Sequence, residues 1–171
     1  MAQENSGNST LTITQSGDEN EGEVTQIYSG NSTLTITQSG DDNVAEVDQG
    51  DSGASSGDNT IAVTQDGELG GVFMDQIGYS NSSTITQTAG GAGNSASVYQ
   101  TGDNLISAVT QSGTNQTALV TQAGMMNESV ITQDGTFNSA TVTQGGTGDY
   151  SSITQSGTGN TLTVTQGPPV P

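Results

Sequence analysis

The sequence predicts an all-β protein built as a flat, two-sided β-solenoid, a cross-β stack with two strands per rung and about seven rungs of 22 residues. Three observations predict it. Glutamine recurs at near-constant spacing, small and β-branched residues alternate with polar ones before each glutamine, and glycine-rich turn signals follow it.

The glutamines are Gln15, Gln26, Gln38, Gln49, Gln65, Gln76, Gln87, Gln100, Gln111, Gln122, Gln133, Gln144, Gln155 and Gln166. Their spacings run 11, 12, 11, 16, 11, 11 and 13, and then 11 throughout. Two places before each stands an apolar residue, β-branched everywhere except Met74. Four places before stands a small or aliphatic residue, such as Leu11, Ala45, Ser107 or Leu162. Six places before, asparagine recurs as Asn20, Asn43, Asn59, Asn81, Asn94, Asn127, Asn138 and Asn160. A strand has a side-chain period of two, so these positions share its inward face. After most glutamines comes x-Gly-x-x, as in Ser39-Gly40-Asp41-Asp42, which supplies the positive φ and local hydrogen bonds of a tight turn. Seven rungs at about 4.8 Å give a stack about 34 Å tall.

The longer spacings mark insertions over Gly50–Asp58 and Thr88–Gly93, expected to bulge at the edges while strand pairing continues past them. The chain is expected to divide into a short leader, 1–8, the repeat solenoid, 9–166, and a Pro-rich tail, 167–171. Proline cannot donate to a β ladder, so the tail is not expected to form another rung. The start, MAQENSGNS, lacks the charged and apolar regions of a signal peptide.

Composition narrows the functions. Leu, Ile, Val and Phe number 29 of 171 residues and the formal charge is -18, which by itself describes a disordered chain. Regular placement of the few apolar residues argues otherwise. The sequence contains no Lys, Arg, His, Cys or Trp. No nucleic acid partner is expected without a cationic surface, and no membrane insertion without a long apolar run. Thiolate and imidazole chemistry are absent too. No acid/base pair or phosphate loop appears, so no enzyme activity, cofactor or defined metal site is expected.

At Ser32-x5-Gln38-x-Gly40-x2-Asn43-x-Ala45-x3-Gln49 the chain resembles the repeat of the curlins, the subunits of bacterial curli fibres. Ser9 to Gln26 fits with Gly22 in place of Ala, and Asn127 to Gln144 with Asn in place of the first Ser. The resemblance spans roughly residues 8 to 167. It implies a secreted, non-enzymatic subunit of an extracellular cell-surface fibre serving adhesion and biofilm cohesion. A nucleator subunit and a secretion apparatus would be its partners. It also implies that the inward Asn and Gln form ladders along the fibre, a role that amide stacking in amyloid gives independently.

Self-association follows from the ends. The first strand, STLTITQ from Ser9, and the last, NTLTVTQ from Asn160, carry neither charge nor proline, so nothing blunts them as edges. Leu11 and Ile13 at one end and Leu162 and Val164 at the other are expected to seat copy on copy. Such contact is heterologous and open, which gives a filament, a head-to-tail homopolymer.

Fourteen of the eighteen carboxylates lie before residue 76, most of them in turns. Glu23 with Glu46, and Asp48 with Asp75, are expected to stack outward, so that acid or divalent cations such as Ca²⁺ would speed assembly. On the opposite face, rows such as Thr10-Thr12-Thr14 and Thr33-Thr35-Thr37 suggest an alternative, a monomeric ice-binding or similar solenoid using a Thr-rich face.

Overall fold

A computed structural model describes residues 2–4, 7–27, 29–50, 56–88 and 90–167. The tail beyond Gly167, most of the first insertion, Ala89 of the second and parts of the leader lie outside the described residues.

The short β1 (Ala2–Glu4) precedes the first rung, β2 (Thr10–Gln15) and β3 (Glu21–Ile27). The two-residue β4 (Ser29–Gly30) precedes the second, β5 (Thr33–Gln38) and β6 (Val44–Gln49). Likewise β7 (Ser56–Gly57) precedes the third, β8 (Thr60–Gln65) and β9 (Gly71–Ile77). Four more rungs follow: β10 (Ser82–Gln87) with β11 (Ser95–Asp103), β12 (Ile106–Thr114) with β13 (Thr117–Met125), β14 (Glu128–Thr136) with β15 (Ser139–Thr147), and β16 (Tyr150–Thr158) with β17 (Thr161–Gln166). The chain is thus an all-β solenoid of seven turns, without a helix among the described residues.

Two parallel sheets result. The first stacks β2-β5-β8-β10-β12-β14-β16, the second β1-β3-β6-β9-β11-β13-β15-β17, and β4 pairs with β7 at the edge. Register is unbroken. Gln15, Gln38, Gln65, Gln87, Gln111, Gln133 and Gln155 align in the first sheet. Gln26, Gln49, Gln76, Gln100, Gln122, Gln144 and Gln166 align in the second. Both insertions leave this register intact. At the second, Glu68 still bridges to Ala92.

Burial alternates with period two, as in the eBiBiB pattern of β5. Between the two ends of the stack the β-branched column is fully buried, for example Ile36 and Val47 in the second rung and Ile131 and Val142 in the sixth. Most turns close through a residue with φ near +55°, among them Glu19, Asp42, Asn115 and Phe137, and three through Gly93, Gly148 and Gly159 at +67° to +75°. Where the turn glycines stack, as Gly17, Gly40, Gly113 and Gly135 do, glycine is a steric requirement. A Cβ on Gly40 would lie 2.1 Å from the Gly67 carbonyl oxygen one rung on, a separation no carbon tolerates.

Candidate functional site: the amide columns and the ends of the stack

Every glutamine side chain lies against its neighbour in the next rung. In the first sheet Nε2 of Gln15 donates to Oε1 of Gln38 at 2.7 Å, and the series continues through Gln65, Gln87, Gln111 and Gln133 to Gln155 at 2.9 to 3.1 Å. In the second sheet Gln26 donates to Gln49, and the series runs on through Gln76, Gln100, Gln122 and Gln144 to Gln166 at 2.7 to 3.4 Å. All twelve bonds point the same way, with the donor on the rung nearer the N-terminus.

The second amide hydrogen does other work. Gln111 Nε2 donates to the Ser95 carbonyl at 3.0 Å and Gln122 to that of Ile106 at 2.9 Å. Gln144 reaches Glu128 and Gln166 reaches Tyr150 in the same way. Most of these glutamines therefore staple their sheet to the start of the facing strand, which the side-chain pattern alone does not disclose.

Asparagine occupies the corner between turn and strand. Oδ1 of Asn59 accepts the backbone N–H of Asn81 at 2.9 Å, and Oδ1 of Asn94, Asn127 and Asn138 accepts the N–H one rung on. Nδ2 donates into the turns, as from Asn81 to the carbonyls of Ile77 and Gly102 or from Asn138 to those of Asp134 and Gly157. Direct side-chain bonds join Asn43 to Asn20 and Asn160 to Asn138. The column chiefly bonds backbone, fixing the turn. Gln116 fills it with the longer amide, bonding Ser112 and Gly135 carbonyls, and the signal for this was its place six before Gln122.

The ends differ from the middle. Leu34 and Ile36 are fully buried, whereas Leu11 and Ile13, one rung earlier, are only partly covered. At the other end Val164 is half-buried and Leu162 is 44% exposed, while Ala140 and Val142 beneath them are fully buried. Oε1 of Gln15 takes no bond from the described residues. Gln155 and Gln166 each donate one amide hydrogen across the core, to Ser139 and Tyr150, and present the other outward. The ends are not level either. β1 pairs with the outer edge of β3, setting Gln3 beside Gln26, and Gln3 precedes Gln15 by 12 residues, one more than the usual spacing of 11.

Glu23 lies beside Glu46 and Asp48 beside Asp75, but Phe73 and Thr25 end these stacks at two. No group of three or more acidic side chains converges among the described residues. Toward the C-terminus the same face becomes neutral, with Thr121, Thr143 and Thr165 in one column. A hollow of about 260 Å³ at the second insertion, lined by Asp66, Glu68, Ala92 and glycines, brings no nucleophile and base together.

Unidirectional amide columns inside two in-register parallel sheets define a structural β-solenoid, and fold and repeat point away from an enzyme. The model of the curlin associated repeat matches residues 31–67, 103–135 and 138–167, more than half of the chain, so the protein belongs to the curlin repeat family. A comparison with curated proteins gives no match.

Proposed function

We propose that the chain is the structural subunit of an extracellular amyloid-type fibre that grows head-to-tail, and that the fibre serves adhesion and cohesion of a biofilm matrix. The observation that carries this reading is the common direction of the glutamine columns. The C-terminal end offers amide N–H groups at Gln155 and Gln166, and the N-terminal end offers the Gln15 carbonyl oxygen. Stacking last rung on first rung meets donor with acceptor. Joining two N-terminal ends would set oxygen against oxygen, and shielded polar groups left unpaired cost roughly 1 to 3 kcal/mol each. Covering Leu162 adds on the order of 1 kcal/mol.

In that junction β17 pairs with β3, and β1 must leave. β3 meets β1 at three residue pairs and β6 at six. An incoming β17, itself six residues long, thus offers about twice the pairing that β1 gives. The test is to hold the purified chain at micromolar concentration and examine it by electron microscopy and fibre diffraction. Unbranched filaments with a meridional spacing near 4.8 Å are expected, and a persistent monomer overturns the reading.

A second reading has one observation in its favour. Thr14, Thr37, Thr64, Thr86, Thr110, Thr132 and Thr154 form an unbroken outward column, as a monomeric ice-binding face would need. The adjacent column is broken by Ala62, Ala108 and Val130. Inhibition of ice recrystallisation by the soluble monomer is the measurement that would favour it.

A further inference from the structure

Gly22 has no explanation inside the monomer. It lies on the inward face of β3, its φ is not positive, and a Cβ there would stand 3.5 to 3.6 Å from Gln15, Gln38 and Ile13, an ordinary contact. Glycine within a strand leaves nothing to pack and weakens it, and marks a place where another group comes close. Inside this chain nothing does.

Gly22 ends the inward column four before glutamine in the second sheet. That column runs from Gly22 through Ala45 and Val72, then three alanines, to Leu162. Its smallest and largest members therefore stand at its two open ends. Leu162 is 44% exposed over a fully buried Ala140, so its side chain projects from the C-terminal end. The facing column of the first sheet runs the other way, from Leu11 to Ser151. Ser151 is 4% exposed and does not project. Each end thus has one prominent side and one low side, and the two ends are inverse casts. β1 leaves Gly22 uncovered, since it begins opposite Thr25.

Backbone pairing alone does not fix how the next copy is turned. β2 and β3 both carry the glutamine of the repeat, and either could extend β17 in parallel register. With β3 on β17, Leu162 comes over Gly22 and Leu11 comes over Ser151, large against small on both sides. With the copy turned halfway about the stack axis, β2 lies on β17 and Leu162 meets Leu11. Within single rungs a leucine on one sheet is always answered by a small residue on the other, as Leu11 by Gly22, Leu34 by Ala45 and Leu162 by Ser151. Bulk added to bulk forces side chains off their rotamers and shifts the backbone.

We propose that Gly22 is the seat for Leu162 of the preceding copy, and that this pair, with Leu11 over Ser151, sets the rotation of each junction and selects a second copy of this chain as its occupant. Such seating rests on head-to-tail growth and names the residues that decide the fit.

The test is an exchange of sizes in the full chain, read as the soluble concentration left at the fibre plateau, with circular dichroism to show that each monomer folds. Gly22→Leu should raise the plateau roughly 10-fold or more. Leu162→Ala alone should also raise it, through lost burial. Combined, the two should give a lower plateau than Gly22→Leu alone, because the seat and its occupant have traded sizes. Gly22→Val, which repeats the residue of Val72 in the same column, gives the same cycle with a smaller effect where leucine disturbs the monomer. A plateau unmoved by either Gly22 variant, or not lowered by adding Leu162→Ala, would overturn the seat and leave head-to-tail growth standing. A natural chain that forms no fibre would overturn both.

Discussion

Gly157 separates the fold from the assembly. Its equivalents cannot carry a side chain, since a Cβ on Gly113 or Gly135 would lie 2.0 or 2.1 Å from the next rung's glycine carbonyl oxygen. Gly157 belongs to the last rung, and a Cβ there meets only Asn160 Nδ2 at 3.8 Å. Gly157→Ala therefore costs the monomer only the strain of its φ of +98°, about 1 to 2 kcal/mol. In a head-to-tail junction the new methyl would strike the Gly17 carbonyl of the next copy. Relief means parting the strands, and loss of two or three net hydrogen bonds at about 1 kcal/mol each raises the critical concentration roughly 100-fold. Gly159→Ala is the control: its φ is +71°, nothing lies within 4 Å, and the equivalent position one rung earlier holds Phe137. The assay is the soluble concentration remaining at the fibre plateau, with circular dichroism to show that both monomers fold. Equal plateaus for Gly157→Ala and Gly159→Ala would refute in-register head-to-tail stacking.

Three further outcomes are expected. Gln111→Leu orphans the Gln87 amide and the Ser95 carbonyl and should lower monomer stability by roughly 2 to 5 kcal/mol, read by chemical denaturation. Asp149 stands in the asparagine column with its Oδ2 buried and unpartnered. Asp149→Asn should place an amide there, as Asn138 does toward Asp134, and raise the unfolding midpoint by the equivalent of about 1 to 2 kcal/mol. An unchanged midpoint would mean that Oδ2 does not occupy the amide position. Removing residues 1–8 frees the β3 edge without touching the seven rungs, so fibre growth should quicken, and thioflavin kinetics with unaltered lag and slope would count against displacement of β1.

The solenoid was legible because one face of each strand must avoid water, and the period-two pattern ending in glutamine states which face. The turns were legible in outline only. Asp42 and Asn115 are residues that accept positive φ readily, but Leu69, Met126 and Phe137 sit in the same conformation, well exposed, against their preference. Stacking overrides local propensity there, since the turn backbone is bonded to the rungs on either side, as in Phe137 N–H to the Thr114 carbonyl. The partners of the amides were the least legible. Side-chain spacing places Gln111 in a column, but only the offset between facing strands brings its second hydrogen to Ser95. Gln3 was hidden for another reason, since no β-branched residue precedes it.

The two halves of the stack reach stability by different routes. In the early rungs, strands such as β2 and β5 pair over six residues, the core holds Leu34, Ile36 and Ile61, and the outer surface carries most of the charge. There, apolar burial offsets repulsion between neighbours such as Glu23 and Glu46. From β11 onward the spacing is a constant 11 and the insertions cease. There β11 with β13, β12 with β14, β13 with β15 and β14 with β16 pair over nine residues through the turn glycines, as Gly102 with Gly124 and Gly124 with Gly146, while β17 pairs over six. The core there is smaller, with Ser107 and Ser129 in place of Leu34 and Ile61, while the faces carry few acidic residues and are rich in threonine. Longer ladders supply what the thinner core does not. The C-terminal end that would accept the next copy is thus the part most regular in backbone and least charged, whereas the N-terminal end that it would meet carries the acidic turns and the displaceable β1.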